Sequence, residues 1–138
     1  MRKGFTLVEL LIVLAVIAAL MAVATPMALS AVKTAKASQV AQNLNALKSA
    51  VEQYVYSEKE LPKSEASLTN YMSKIPDGYK LTSDAAFVKG EATVTVAYTV
   101  GDILPVDVNK QYSEATKVTL PSSSLEHPGV YVKVRQWW

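Results

Sequence analysis

The sequence predicts an α+β protein in which a long N-terminal α-helix packs on a small antiparallel β-sheet. Three features predict this class: a strongly apolar N-terminal stretch, an amphipathic helical stripe that follows it, and the period-two alternation of strands later in the chain. An antiparallel sheet with one apolar face needs a cover, and the helical stripe supplies one.

The apolar stretch is long enough to span a membrane. Glu9 is the only charged residue between Gly4 and Val32, and the run from Leu10 to Ala24 is uninterrupted hydrocarbon. About 20 such residues cross a bilayer as a helix. Because Arg2 and Lys3 precede the stretch, we expect this end to stay in the cytoplasm and the rest of the chain to lie outside it.

Two simpler interpretations compete for this stretch. A basic start, an apolar core and the small residues Ala22-Val23-Ala24 fit a secretory signal peptide with its cleavage site, and a plain single-span anchor fits as well. Neither explains Glu9, because a charged side chain in hydrocarbon costs about 2.5–3.5 kcal/mol and is normally retained for a function.

The amphipathic stripe continues the helix without a turn signal. No Gly or Pro occurs between Ala31 and Tyr56. The apolar residues recur at spacings of four, three, four and three, which places on one helical face Val40, Leu44, Leu47, Val51 and Tyr54. We therefore expect one helix over residues 5–57, with a transmembrane part (5–30) and an amphipathic part (31–57).

Pro26 interrupts this predicted helix. Proline removes a backbone donor and clashes with the preceding turn. A kink is therefore expected just before Pro26.

A turn-rich head is predicted over residues 58–138, since Leu61-Pro62 ends the long helix. Alternating apolar residues predict a sheet of three or four strands, and the candidate strands are Tyr79 to Ser83, Ala92 to Val100, Lys117 to Leu120 and Val130 to Val134. The spacing of apolar residues from Ser67 to Ile75 predicts a short helix, which the turn Pro76-Asp77-Gly78 ends. A second turn is expected at His127-Pro128-Gly129, and exposed loops at residues 101–116 and 121–129.

The residue types exclude several kinds of chemistry. The chain has no cysteine and a single histidine, His127, so disulfides, thiolate metal sites and histidine-based sites are not expected. The carboxylates Asp102, Asp107 and Glu114 are too far apart in sequence to form a compact calcium loop. No nucleophile–base pair or phosphate loop is present. We expect no catalytic residue, no metal and no cofactor, and hence no enzyme.

The N-terminal residues carry a specific resemblance. The segment from Arg2 to Val13 has a short basic leader ending in Gly4, then Phe5, then Glu9 four residues further on, then the apolar run. Pro26 stands at the far end of that run. This segment resembles the class III leader and helix start shared by type IV pilins and the pseudopilins of type II secretion and DNA-uptake systems. The helix and sheet likewise resemble the ladle-like pilin fold.

The resemblance implies how the chain is processed and assembled. A prepilin peptidase would remove a leader peptide of residues 1–4, cleaving after Gly4 and methylating the new amine of Phe5. Glu9 would neutralise that amine on a neighbouring subunit, since a desolvated charge is tolerated when it is paired. Residues 5–30 would then form the core of a homo-oligomeric helical filament, a pilus or fimbrium.

The same resemblance implies location and partners. The subunit would be a single-pass protein of the inner (cytoplasmic) membrane before assembly and part of an extracellular filament afterwards, built by inner-membrane pilus assembly machinery. The alternatives are a pseudopilin of a type II secretion or DNA-uptake system, or a minor pilin with a binding or adhesion role through the loops.

The net charge of the processed chain does not favour nucleic acid as a main partner. Cleavage after Gly4 removes Arg2 and Lys3, so the 14 basic residues fall by two and equal the 12 acidic ones. A formally neutral chain does not supply the clustered cations that displace phosphate counterions, beyond local basic patches. Trp137 and Trp138 are expected to cap the sheet or to contact another subunit.

Overall fold

A computed structural model describes residues 4–138 of the protein. Two helices and four strands follow one another in the order α1 (Leu7–Glu58), β1 (Tyr79–Ser83), β2 (Glu91–Tyr98), α2 (Pro105–Gln111), β3 (Thr116–Thr119) and β4 (Glu126–Arg135), with a short 3₁₀ helix at Glu65–Leu68. The chain forms two compact units, one ending at Ala35 and the other comprising Lys36–Trp138.

The first unit contains the apolar half of α1. Its large apolar side chains from Phe5 to Val32 are all exposed. Exposed hydrocarbon over so many residues is unfavourable in water. Within residues 4–138, α1 is the one helix whose length and composition allow it to cross a membrane.

α1 continues through Pro26. In the residue directly before it, the hydroxyl of Thr25 donates a hydrogen bond to the carbonyl oxygen of Met21, one turn earlier, at 2.8 Å. Such back-bonding by threonine loosens and often bends a helix, and proline itself leaves a carbonyl without its usual donor. Both effects favour the kink that the sequence predicts just before Pro26, which stays a prediction.

In the second unit the four strands form one antiparallel sheet of order β1-β2-β4-β3. Val94 of β2 lies opposite Val132 of β4, and Val96 lies opposite Val130, so the valines of the two central strands share one face. β3 extends the sheet on the far side of β4, where Val118 lies opposite His127. The α+β class with an antiparallel sheet is confirmed.

The core lies between this sheet face and the second half of α1. The helix contributes a stripe of buried residues: Ala37, Val40, Ala41, Leu44, Leu47, Ala50, Val51 and Val55. The sheet contributes the buried side chains of Leu81, Val94, Val96, Val130, Val132 and Val134. Four of the five stripe positions predicted from spacing are buried, and Tyr54 packs partly buried against the core. The helix therefore covers the sheet as predicted.

The predicted strands are confirmed, but the turn at His127-Pro128-Gly129 is wrong. All three residues lie inside β4, which begins at Glu126. A Cβ atom at position 129 would collide with the side chain of Val118 and the carbonyl oxygen of Val96. Glycine is therefore required here for close packing of three strands and not for a turn.

Two local predictions in the head are also wrong. Residues 67–75 do not form a helix, because the 3₁₀ helix ends at Leu68. Directly after it, the Thr69 hydroxyl donates a hydrogen bond to the carbonyl oxygen of Ala66. Such a side-chain bond to the backbone competes with helix formation. The segment 101–116 is not simply a loop, since it contains α2.

Candidate processing and assembly site

The start of α1 is held by a reciprocal pair of hydrogen bonds. The carboxylate oxygen Oε2 of Glu9 accepts from the backbone N–H of Thr6 at 2.8 Å, and the Thr6 hydroxyl oxygen accepts from the backbone N–H of Glu9 at 3.2 Å. This is a capping box, in which Thr6 is the N-cap and Glu9 the third helical residue. The pair satisfies two of the otherwise unpaired N–H groups at the helix start, those of Thr6 and Glu9.

The capping box gives Glu9 a role within a single subunit. Sequence reasoning missed it, although the spacing Thr-x-x-Glu directly before an apolar run is its recognisable signal. An ionised carboxylate has about four acceptor positions. The bond to Thr6 therefore leaves Glu9 able to accept from a second donor.

Gly4 and Phe5 lie outside the helix, immediately before the cap. Both are exposed, and a Cβ atom at Gly4 would meet no atom within 4 Å. In the uncleaved chain the nitrogen of Phe5 is an uncharged amide, so it becomes a cation only when the bond to Gly4 is cut. Phe5, Thr6 and Glu9 thus lie within five consecutive residues at the start of α1. Residues 1–3 of the predicted leader lie outside the described residues.

Small residues in the apolar half of α1 are exposed as well. Five alanines in this half of the helix have exposed side chains: Ala15, Ala18, Ala19, Ala22 and Ala24. Close approach between apolar helices depends on such residues, because small side chains let backbones come together.

The Lys36 end of the second unit is held by a polar network. The Asp102 carboxylate pairs with the Lys36 ammonium and accepts a hydrogen bond from the Tyr98 hydroxyl at 2.8 Å. The ammonium of Lys36, followed by the Tyr98 hydroxyl, holds the pKa of Asp102 below its ordinary value. Burial, with the bond to Asp102 as the next cause, raises the pKa of Tyr98 to about 12.

The three carboxylates considered for calcium each pair with a lysine instead. Asp102 pairs with Lys36, Asp107 with Lys110 and Glu114 with Lys48. Glu114 also accepts from the Tyr112 hydroxyl at 2.7 Å. They are therefore distributed over three separate ion pairs of the head.

Because the pKa of Tyr98 is raised, we expect the stability of the head to depend on pH in the alkaline range. An unfolded tyrosine ionises near 10.0, whereas folded Tyr98 keeps its proton up to about 12. The unfolded state therefore releases this proton first, and the stability of the head should fall as pH rises between those values. Urea unfolding across that window should show a shallower fall for Tyr98→Phe than for the parent chain. Tyr71, Tyr79 and Tyr112, whose pKa values are also raised, supply the remaining fall. Equal slopes for variant and parent would contradict the prediction.

The fold and the helix start define a class of protein: a head domain whose long helix continues into an exposed apolar segment with a capped N-terminus. A family model described as the prokaryotic N-terminal methylation motif matches residues 1–25. That match contains Gly4, Phe5 and Glu9.

A curated relative extends the likeness into the head. The type IV major fimbrial protein FimA of Dichelobacter nodosus is 31% identical over 100 residues, which is 72% of this chain. The aligned part spans 64% of that fimbrial protein. No solved structure matches the chain. The two matches confirm the resemblance to type IV pilins with a class III leader.

Proposed function

We propose that the chain is a structural, non-enzymatic subunit of a type IV pilus-like surface filament. The observation that carries the proposal is the exposed apolar half of α1, which begins at a capping box inside a methylation motif. An apolar helical surface of this length must be covered by lipid or by other proteins. A membrane before assembly and identical helices afterwards would cover it in turn.

We propose that residues 1–4 are removed as a leader by a prepilin peptidase, which also methylates Phe5. The exposed, unstructured bond between Gly4 and Phe5 is accessible to an enzyme. Because a Cβ atom at Gly4 would meet no other atom within 4 Å, a larger residue at this position would leave the fold intact. Loss of processing in such a variant would therefore report on recognition by the peptidase.

We propose that Glu9 is shared between two tasks during assembly. In one subunit it caps α1 through Thr6, and in the filament it would also accept from the methylated amine of Phe5 on a neighbour. The desolvated amine needs a partner of opposite charge. Pairing of these groups would set the register at which each subunit is added.

The proposed subunit starts as a single-pass protein of the inner (cytoplasmic) membrane and ends in an extracellular filament. The assembly machinery of that membrane and the peptidase are its proposed partners. The name of the fimbrial relative favours a surface filament over a periplasmic pseudopilus.

Processing is tested by the mass and N-terminus of protein sheared from cell surfaces. We expect a chain that starts at methylated Phe5, and we expect Gly4→Val to accumulate uncleaved in the membrane. The control is the helix content and urea transition of the Gly4→Val protein, which should equal those of the parent.

Two outcomes of this experiment would overturn parts of the proposal. A surface protein that retains Met1, or that starts at Thr25 after a signal-peptidase cut, would reject the leader. Processed protein that is confined to the periplasm, with no filaments in electron micrographs, would reject the surface pilus in favour of a pseudopilus.

A further inference from the structure

A cleft of about 870 Å³ lies between the second half of α1 and the segment that leads into β1. α1 contributes Gln39 and Asn43 to its lining, and the segment contributes Tyr71 and Ser73. Every residue that lines the cleft belongs to the unit Lys36–Trp138. Small-molecule sites in proteins have volumes of about 300–1,000 Å³, so the cleft is large enough to hold a ligand.

Tyr79, the first residue of β1, also lines the cleft and has an unsatisfied polar group. Its side chain is 7% exposed, and its buried hydroxyl has no hydrogen-bond partner among residues 4–138. Burial raises the pKa of this hydroxyl, and the nearby Asn43 amide opposes that rise. Buried polar groups in folded proteins almost always have a partner. A polar group that entered the cleft beside Asn43 would supply the partner that Tyr79 lacks.

The charges in the lining of the cleft balance one another. Lys36 is paired with Asp102, which leaves Lys74 and Asp77, two exposed residues of opposite sign. The other polar groups in the lining are neutral amides and hydroxyls, and they belong to Gln39, Asn43, Ser49, Ser73 and three tyrosines. The cleft therefore favours a neutral ligand over an anion or a cation.

Apolar surface lines the same cleft. Met72 and Pro76 contribute aliphatic atoms, and Tyr71 and Tyr98 contribute aromatic rings. The Tyr98 hydroxyl already donates to Asp102, so its ring is the part available to a ligand. Apolar walls with a few polar groups that fix orientation are typical of sites for small molecules.

We propose that this cleft binds an uncharged oligosaccharide. A sugar ring has C–H bonds on its faces and hydroxyl groups around its edge. The faces would pack on the aromatic and aliphatic walls, and the hydroxyls would bond to Gln39 and Asn43, whose amides both donate and accept. One sugar hydroxyl would accept from Tyr79. The inference does not depend on processing or on filament formation.

A peptide fits the cleft less well than a sugar. Extended peptides bind chiefly through main-chain hydrogen bonds to an exposed sheet edge. β1 is the edge strand beside the cleft, and its outer edge is blocked, since the carboxylate of Glu65 accepts from the backbone N–H of Leu81 at 2.7 Å. The backbone of α1 is bonded within its own helix. A ligand in the cleft would therefore meet mainly side chains.

The binding test uses the full chain in nanodiscs of phosphatidylcholine, whose headgroups carry no sugar. Saturation-transfer NMR is recorded with three uncharged trisaccharides: maltotriose, cellotriose and tri-N-acetylchitotriose. Trigalacturonic acid and the tripeptide trialanine serve as comparison ligands. We expect at least one uncharged trisaccharide to bind with a Kd of about 1 mM or tighter. Binding of none of the three, or preferred binding of the acid or the peptide, would overturn the proposal.

A blocking variant tests whether the sugar occupies the cleft. Ala46→Trp fills the cleft from an exposed position of α1, and we expect it to weaken binding at least about tenfold, because a ligand cannot share the space of the indole. The control Asn45→Trp adds the same side chain at the next exposed position, which does not line the cleft, and should leave the Kd unchanged. Retained binding in the Ala46→Trp chain would overturn the proposal. Circular dichroism verifies that both variants are folded.

Tyr79→Phe tests the buried hydroxyl on its own. Because this hydroxyl lacks a partner in the free chain, its removal should not lower the free energy of unfolding in urea. The same change should weaken sugar binding by about two- to tenfold, which is the effect of one hydrogen bond. An unchanged Kd would overturn the assignment of Tyr79 as a ligand contact, whatever the stability of the variant.

Discussion

Changing Glu9 to glutamine should abolish filaments while leaving the protein inserted, folded and capped. Glutamine at the third helical position can still accept from the backbone N–H of Thr6, so the capping box survives. The charge that would pair with the Phe5 amine of a neighbour is lost. Leaving a buried charge without its partner costs about 3–5 kcal/mol, which corresponds to a drop of roughly 150- to 5,000-fold in subunit addition. The yield of filaments is measured as the ratio of protein sheared from the cell surface to protein in the membrane fraction.

Two further variants distinguish the charge of Glu9 from its cap. Thr6→Ala keeps the carboxylate and removes the N-cap hydroxyl, at a cost of about 0.5–2 kcal/mol to the helix start, so we expect filaments at reduced yield. Glu9→Ala removes both functions and should resemble Glu9→Gln in making no filaments. Normal filaments from Glu9→Gln together with none from Glu9→Ala would show that capping, and not charge, is what assembly requires.

The N-terminal part of this site could be predicted because its chemistry depends on neighbours in sequence. A basic leader, a glycine, an isolated carboxylate and a run of hydrocarbon are each visible without a fold. The long helix was equally accessible, since spacing alone placed Leu44 and Leu47 on its buried face. The capping bond between Thr6 and Glu9 is also visible in the sequence, because the spacing Thr-x-x-Glu before an apolar run is its signal.

The head was harder to predict because its short elements depend on tertiary contacts. α2 has only seven residues, and its signals are weak: Pro105 at its start, Asp107 in its first turn and Lys110 in its last. What fixes it is the burial of Val108 in the core, which no local pattern reveals.

Residues that are typical of turns produced the opposite error. The segment His127-Pro128-Gly129 has the composition of a turn, yet it pairs with Lys117 and its neighbours as part of β4. The deciding fact is the lack of space around Gly129, where β2 and β3 approach from both sides. Such a requirement comes from three strands meeting and cannot be inferred from one of them.

The second large effect is expected at Leu44, in the middle of the buried stripe of α1. Leu44 is fully buried in the core, and truncating a buried leucine to alanine costs about 2–5 kcal/mol. Urea unfolding of the full chain in detergent micelles should show this loss for Leu44→Ala. Trp137 and Trp138, the only two tryptophans and both in the head, provide the fluorescence signal. The control Leu125→Ala, at an exposed leucine, should change the free energy of unfolding by less than about 0.5 kcal/mol.

The size of the Leu44 effect tests whether α1 belongs to the folding unit of the head. Domains of this size are stable by about 5–15 kcal/mol. A loss of several kcal/mol would therefore remove a large part of the free energy of unfolding of the head. If Leu44→Ala cost less than about 1 kcal/mol, the sheet would be stable without its helical cover. The expected large cost means instead that the sheet folds only when residues 37–55 of α1 lie on it. Those residues are continuous in one helix with the apolar segment, so a subunit with a folded head already has a helical second half from which the apolar half can extend.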